Sequence, residues 1–241
     1  MNHESRVTAA GVIGAALVAS ALIGGWAVGN LRRAGDQIVV TGSATRPVRS
    51  DRAVWRLDVT GQSPSQVEAT RAAARGAQAV REWLVSNGFA DSAVTTRTPF
   101  TMVQNEWING METGRVLGYR VSQQVEVRTP DVDRVASLAG DLTALLDRGV
   151  PVVGQAPEYL FSGLAGIRGP LLAEATQDAR TRAEEIVTAA GAKVGRIKAV
   201  QVGVFQVRQR ESVEVSDYGM YDTSDREKDV TGVIRVTFAI D

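Results

Sequence analysis

The chain has 241 residues, of which 44% are hydrophobic and 22% charged, and its 27 basic side chains balance 27 acidic ones. This length and balance suit one large or two small globular domains with a sizeable core and exclude a chain disordered throughout. With zero net charge and no basic stripe, nucleic acid is not an expected partner.

Cysteine is absent, which excludes disulfides, thiolate catalysis and Cys-ligated metals. The one histidine, His3, precedes the predicted folded region. A His-based metal site or a Ser-His-Asp triad is therefore unavailable to the fold within one chain. No cofactor and no metal is expected.

Residues 1–6 read as a short cytoplasmic N-terminus. Val7 to Gly29 carries no charge, and as a helix its 23 residues span about 34 Å at ~1.5 Å per residue. That length crosses a hydrocarbon core of about 30 Å. The predicted anchor includes Val7, Val12, Leu17, Leu22, Trp26 and Gly29, with Trp26 near one end, where an interfacial indole is favoured. A cleaved signal peptide is the rival reading. Its positive n-region is weak, because Glu4 offsets Arg6, and the apolar run exceeds a usual h-region, so a retained anchor is favoured. Arg32 and Arg33 follow it, and an arginine count alone places the remaining chain in the cytoplasm. Residues 30–37 read as a linker and 38–241 as the folded domain.

Within that domain, 38–47 and 53–61 read as strands. In the second, Trp55, Leu57 and Val59 alternate with Arg56, Asp58 and Thr60. Ser63 is the expected cap of a following helix, with Pro64 at its first position and Gln66 closing a capping box. Ala69, Ala73, Gly76, Val80 and Trp83 share one face, and Asn87-Gly88 stops the helix. Thr96–Trp107 and Arg115–Arg128 form a predicted hairpin about Asn109-Gly110. In its second arm Leu117, Tyr119, Val121, Val125 and Val127 share a face.

Thr129-Pro130-Asp131 opens a second predicted helix, with Val132, Val135, Leu138, Leu142 and Leu145 apolar and Gly149 at its end. A strand lies within Gln155–Ser162. A third helix follows Gly169-Pro170, with Leu172, Ala175, Ala179, Ala183, Ile186 and Ala190 on one stripe. Two strands close the chain. Val200, Val202 and Val204 alternate in the first, and Val230, Ile234, Val236, Phe238 and Ile240 keep step in the last. The predicted class is α+β: mixed or antiparallel sheets with three main helices on one face, behind a transmembrane helix.

Several motifs carry a resemblance to a known family. They are Val39-Val40-Thr41-Gly42-Ser43-Ala44, the strand Ala53–Gly61, the alanine-rich helix ending at Asn87-Gly88, and the hairpin leading to Gly118-Tyr119-Arg120-Val121. The alanine-spaced helix Ala173–Ala190 and Gly191-Ala192-Lys193-Val194-Gly195-Arg196-Ile197 complete the ordered set. Over roughly residues 38–240 the chain resembles the SIMPL-domain family of bacterial envelope proteins. The resemblance implies an extracytoplasmic domain, assembly with itself into large rings or channel-like oligomers, and roles in envelope integrity or stress tolerance. It implies no catalytic residues, and it opposes the arginine count on orientation.

Gly191–Gly195 lacks the spacing of a phosphate loop and precedes a strand, so it reads as a helix cap. The acidic run at Asp217, Asp222, Asp225, Glu227 and Asp229 does not match a calcium loop and reads as solvated. Ser43 and Ser162 lie beside glycines, but no Gly-x-Ser-x-Gly is present. Two apolar clusters fall in predicted turns: Trp107, Ile108 and Met111, and Tyr218, Met220 and Tyr221. Each either folds back on its own domain or makes a subunit contact. The expected function is thus a non-enzymatic, membrane-anchored homo-oligomer outside the cytoplasm, held to lipid by its N-terminal helix. The alternatives are a binding module for a small ligand or an envelope polymer, and an enzyme.

Overall fold

A computed structural model describes residues 36–212 and 219–241, together with Ser20 and Ala21 in a helical conformation. Apart from Ser20 and Ala21, the predicted anchor lies outside the described residues, as do most of the linker and Tyr218. Among the described residues no helix is long and apolar enough to cross a membrane.

The elements run β1 (Gln37–Arg49), β2 (Arg52–Ser63), α1 (Gln66–Ser86), β3 (Val94–Thr96), β4 (Phe100–Ile108), β5 (Met111–Thr129), α2 (Val132–Ala139), α3 (Thr143–Leu146), β6 (Val152–Gly154), β7 (Glu158–Leu160), α4 (Leu164–Ala189), β8 (Val194–Gln209) and β9 (Glu227–Ile240). The described residues form an α+β fold with two sheets. It divides into two units, one made of residues up to Ala44 with Gly169–Val204 and Gly232–Asp241, the other of Thr45–Arg168 and Phe205–Thr231. The long strands β1, β8 and β9 contribute residues to both.

In the larger unit a six-stranded sheet has the order β3-β5-β2-β6, with β4 also on β5 and β7 also on β2. The β2–β5 pairing is antiparallel from Ala53 opposite Thr129 to Ser63 opposite Tyr119. One face of these strands packs under α1, and Trp55, Leu57, Val59, Val80, Leu84, Val125 and Val127 are all sealed in that core. The burial follows from the alternation along β2 and the apolar stripe of α1, which places small residues against the sheet. At Gly61 the helix backbone comes so close that a Cβ would sit 2.2 Å from the Ala69 carbonyl oxygen and 2.5 Å from the Ala73 nitrogen.

The smaller unit repeats the device. Its sheet has the order β1-β9-β8. Val40, Ile234, Val236 and Phe238 pack against Ala175, Ala179 and Ala183 of α4. A Cβ at Gly42 would meet the Ala175 carbonyl oxygen at 2.2 Å and the Ala179 nitrogen at 2.5 Å. The Ser43 amide donates to Asp178 Oδ2 at 2.9 Å, which ties β1 to the same helix.

Several boundaries differ from expectation. Ser65, not Ser63, occupies the cap of α1 and makes no side-chain cap bond. Ser63 Oγ instead accepts from the Ser65 amide and donates to Glu68 Oε2 at 2.7 Å, which removes it from the capping role. The second helix is broken: α2 ends at Ala139, α3 begins at Thr143, and the Asp141 carboxylate accepts from the Thr143 amide between them. The 155–162 region holds β7, and β6 forms ahead of it. α4 starts at Leu164 and runs through Pro170, which forfeits one helical hydrogen bond without ending the helix. Its buried stripe is Leu171, Ala175, Ala179, Ala183 and Val187, so the predicted Leu172 and Ile186 lie off it, Ile186 being exposed.

Gly61→Ala should cost about 1–3 kcal/mol, because backbone on both sides must shift. Thermal unfolding followed by circular dichroism should show a midpoint lowered by several degrees. Gly140→Ala, at a helical φ of −79° and with open space around it, should leave the midpoint unchanged or slightly raised.

Candidate interaction surface

The feature that the core does not absorb is the far end of the β4–β5 hairpin. Asn109 and Gly110 turn it with φ of 53° and 79°, the left-handed pair of a tight two-residue turn. β2 ends at Ser63 opposite Tyr119. Beyond that pair β5 keeps β4 as its only partner among the described residues, from Gln104 opposite Gly118 to Ile108 opposite Met111. The hairpin therefore continues past its sheet as a two-stranded arm. Two irregularities in register, between Gln104 and Asn105 and between Asn105 and Trp107, bend it on the way.

The arm is apolar and uncovered. Trp107 is 65% exposed and Met111 71%, and Ile108 is also more than half exposed. Adjacent strand residues point to opposite faces. Val116 and Leu117 are adjacent and both exposed, so neither face of the arm is covered by the domain. Nearer the sheet Phe100, Met102 and Val103 extend the same exposed surface along β4. Polar contacts hold the ribbon in shape: Arg115 pairs with Glu106 at 3.2 Å, and Asn105 donates to Glu112.

The second predicted cluster is placed differently. Met220 is half-buried, and its carbonyl accepts from the Val207 amide at 2.8 Å. The Tyr221 ring is partly exposed, but its hydroxyl accepts from the Phe161 amide at 2.9 Å and donates to the Phe161 carbonyl at 3.0 Å. The fully buried Lys228 reaches the Asp222 carbonyl at 2.6 Å and pins the same loop. Burial lowers the Lys228 pKa, and Asp222 and Asp225 oppose the shift. Met220 and Tyr221 are thus held against their own unit, whereas Trp107, Ile108 and Met111 stand together at the exposed hairpin tip. Among the described residues no group of three or more acidic or imidazole side chains is placed to hold a metal ion.

A polar cluster that the sequence did not single out lies on the β2–β5 face opposite α1. The Glu126 side chain is only 4% exposed, and Arg56, Arg97 and Arg128 converge on it at 2.9, 2.8 and 2.6 Å. Arg56 also holds Glu158 at 2.6 Å. Burial alone raises the Glu126 carboxyl, but the hydrogen bonds from Arg97, Arg128 and Arg56 outweigh it and bring the pKa down to about 2. A cleft of about 460 Å³ lies beside this cluster, lined by Arg52, Val54, Arg128, Leu160 and Ser162 among others. Two of its polar side chains are already engaged: Arg128 with Glu126, and Ser162 Oγ with Asp51 Oδ2 at 2.5 Å. The alternation that placed Arg56 and Glu126 on the polar face could be read from the sequence. Their convergence with Arg97 could not, because it depends on register between three strands.

Compared with known protein families, residues 38–238 match the SIMPL model, described as a protein of unknown function (DUF541). No curated protein matches the chain.

Glu126→Gln should lower stability at neutral pH by about 2–3 kcal/mol, discounted because Arg97 and Arg128 are more than half exposed. The carboxyl is depressed from 4.5 to about 2, so its contribution is complete above pH 4.5 and is lost as pH falls towards 2. Denaturant unfolding of both proteins across that range should show the difference between them shrinking as pH falls.

Proposed function

This chain belongs to the SIMPL family, and from that membership and the uncovered arm we infer that it is a non-enzymatic module that assembles with itself at a membrane. The arm carries the reading. A two-stranded ribbon alone is marginally stable in water. This one also exposes Trp107, Ile108, Met111 and Leu117 without cover from its own sheet. A protein partner that buries them stabilises ribbon and complex together, and aromatic and Met side chains are the groups that interface centres favour.

A second copy of the chain is the partner in this reading. The anchor predicted over residues 7–29 confines copies to a plane, orients them alike and raises their effective concentration. Contacts between unlike surfaces of identical subunits close into a ring where the rotation permits. The folded domain faces outward, and its role is in the structure of the cell envelope or its tolerance of stress. The orientation, the ring and the envelope role follow from the family resemblance.

Replacing Trp107 with Gln and Ile108 with Thr together should shift the full-length protein to smaller species with an unchanged circular dichroism spectrum. Light scattering after size exclusion reads this directly. A wild-type protein that is monomeric at micromolar concentration overturns the reading.

The anchor has its own test. Intact mass of the membrane-fraction protein should include residues 7–29, and a mature N-terminus near residue 22 or 30 means a signal peptide. A phosphatase fused to the C-terminus should be active outside the cytoplasm, and activity confined to the cytoplasm overturns the placement.

A further inference from the structure

We propose that the open edge of β8, over Val194–Val204, receives the β4–β5 arm of a second copy of this chain, strand against strand. The proposal rests on the self-assembly reading and names the contact that builds it.

The order β1-β9-β8 leaves two edges in the smaller unit's sheet. They are treated differently. At β1 the Asp178 carboxylate takes the Ser43 amide, so a helix side chain occupies that edge. Among the described residues no strand pairs with the outer side of β8 over Val194–Val204. Val200, Val202 and Val204 are exposed, Val202 at 52%, and Ile197 on the other face is exposed as well. The exposure is local, because Gln206 and Val207 farther along the same strand are buried. Proteins usually blunt a long apolar edge with proline, a bulge or a cover, since its unpaired amides and carbonyls invite another strand. Val194–Val204 contains no proline.

The arm supplies what this edge lacks. Among the described residues it is a ribbon with no strand paired to its outer sides, and it has apolar groups on both faces, the form that adds to an exposed sheet edge. Charge selects this pairing over the symmetric ones. Val194–Val204 holds two cations, Arg196 and Lys198, and no acid. Gln104–Gly118 holds Glu106 and Glu112 against Arg115, a net charge of −1. The Asp241 carboxylate lies against Gly195, which leaves the β8 edge a balance of +1; two edges or two arms together add like net charge, whereas arm on edge opposes the signs. Each copy then gives an arm and offers an edge, so the contact is heterologous and propagates from copy to copy.

The absence of native cysteine makes the test direct. Ile108→Cys and Val202→Cys are introduced into separately tagged full-length chains. The two are mixed in detergent and treated with a short bifunctional maleimide. Cross-linked dimers carrying both tags should exceed those from either variant alone several-fold. Met111→Cys with Val200→Cys is the second pair, should one of the first variants fold poorly by circular dichroism. Dimers formed mainly by a β8 variant alone, or mainly by an arm variant alone, overturn the proposal in favour of a symmetric contact. Assembly by light scattering with no cross-link from either pair overturns this contact but leaves self-assembly standing. A monomeric wild-type protein overturns both.

Discussion

Helix backbone lies directly on strand backbone at Gly61 in one unit and at Gly42 in the other, and most of the architecture follows from that approach. In each case the strand glycine faces a helix carbonyl and the amide four residues later, Ala69 and Ala73 in the first and Ala175 and Ala179 in the second. Only a residue without a Cβ fits under such a helix, and only a helix with alanine on its inner stripe can come so close. The consequence is a thin, dense interface. Larger side chains are displaced to the ends, where Trp55 meets Trp83 edge to face at 6.2 Å.

Close packing on one face leaves the other face of β2 and β5 to polar chemistry. Glu126 is withdrawn from water there, and an unpaired carboxylate in that position would be costly. Arg56, Arg97 and Arg128 come from β2, from the connection after β3 and from β5, so the charge is compensated only when these segments are in register. The cluster acts as a register lock: slipping a strand by one residue would turn Glu126 toward the apolar core.

The same sheet also explains why the arm is free. β2 stops at Ser63, opposite Tyr119, and β5 runs on. Beyond that point the hairpin is held by its turn, its ladder and polar contacts within the ribbon, with no helix beneath it among the described residues. Natural edges of this kind are liabilities in a free monomer and assets in an assembly, because the groups that aggregate without control are the groups that bind a chosen strand. An exposed arm and, among the described residues, an unpaired outer side of β8 lie on the same chain.

The sequence determined what depends on neighbours along the chain. Alternation at Trp55, Leu57 and Val59 fixed a half-buried strand, the left-handed pair Asn109-Gly110 fixed the hairpin, and the ordered motifs pointed to the SIMPL family. It also marked Trp107, Ile108 and Met111 as apolar residues at a turn. Local rules failed where a distant or competing group intervened. Ser63 bonded Glu68 and left the cap to Ser65, α4 continued through Pro170, and a turn at Gly140–Leu142 interrupted what read as one helix. Leu117 keeps phase with Val121 but is exposed, because burial depends on where the neighbouring strand ends, and one strand's alternation carries no record of that. The gathering of three arginines on Glu126 and the difference between the two edges of the β1-β9-β8 sheet were likewise decided in three dimensions. Both depend on which segments, far apart in sequence, become neighbours.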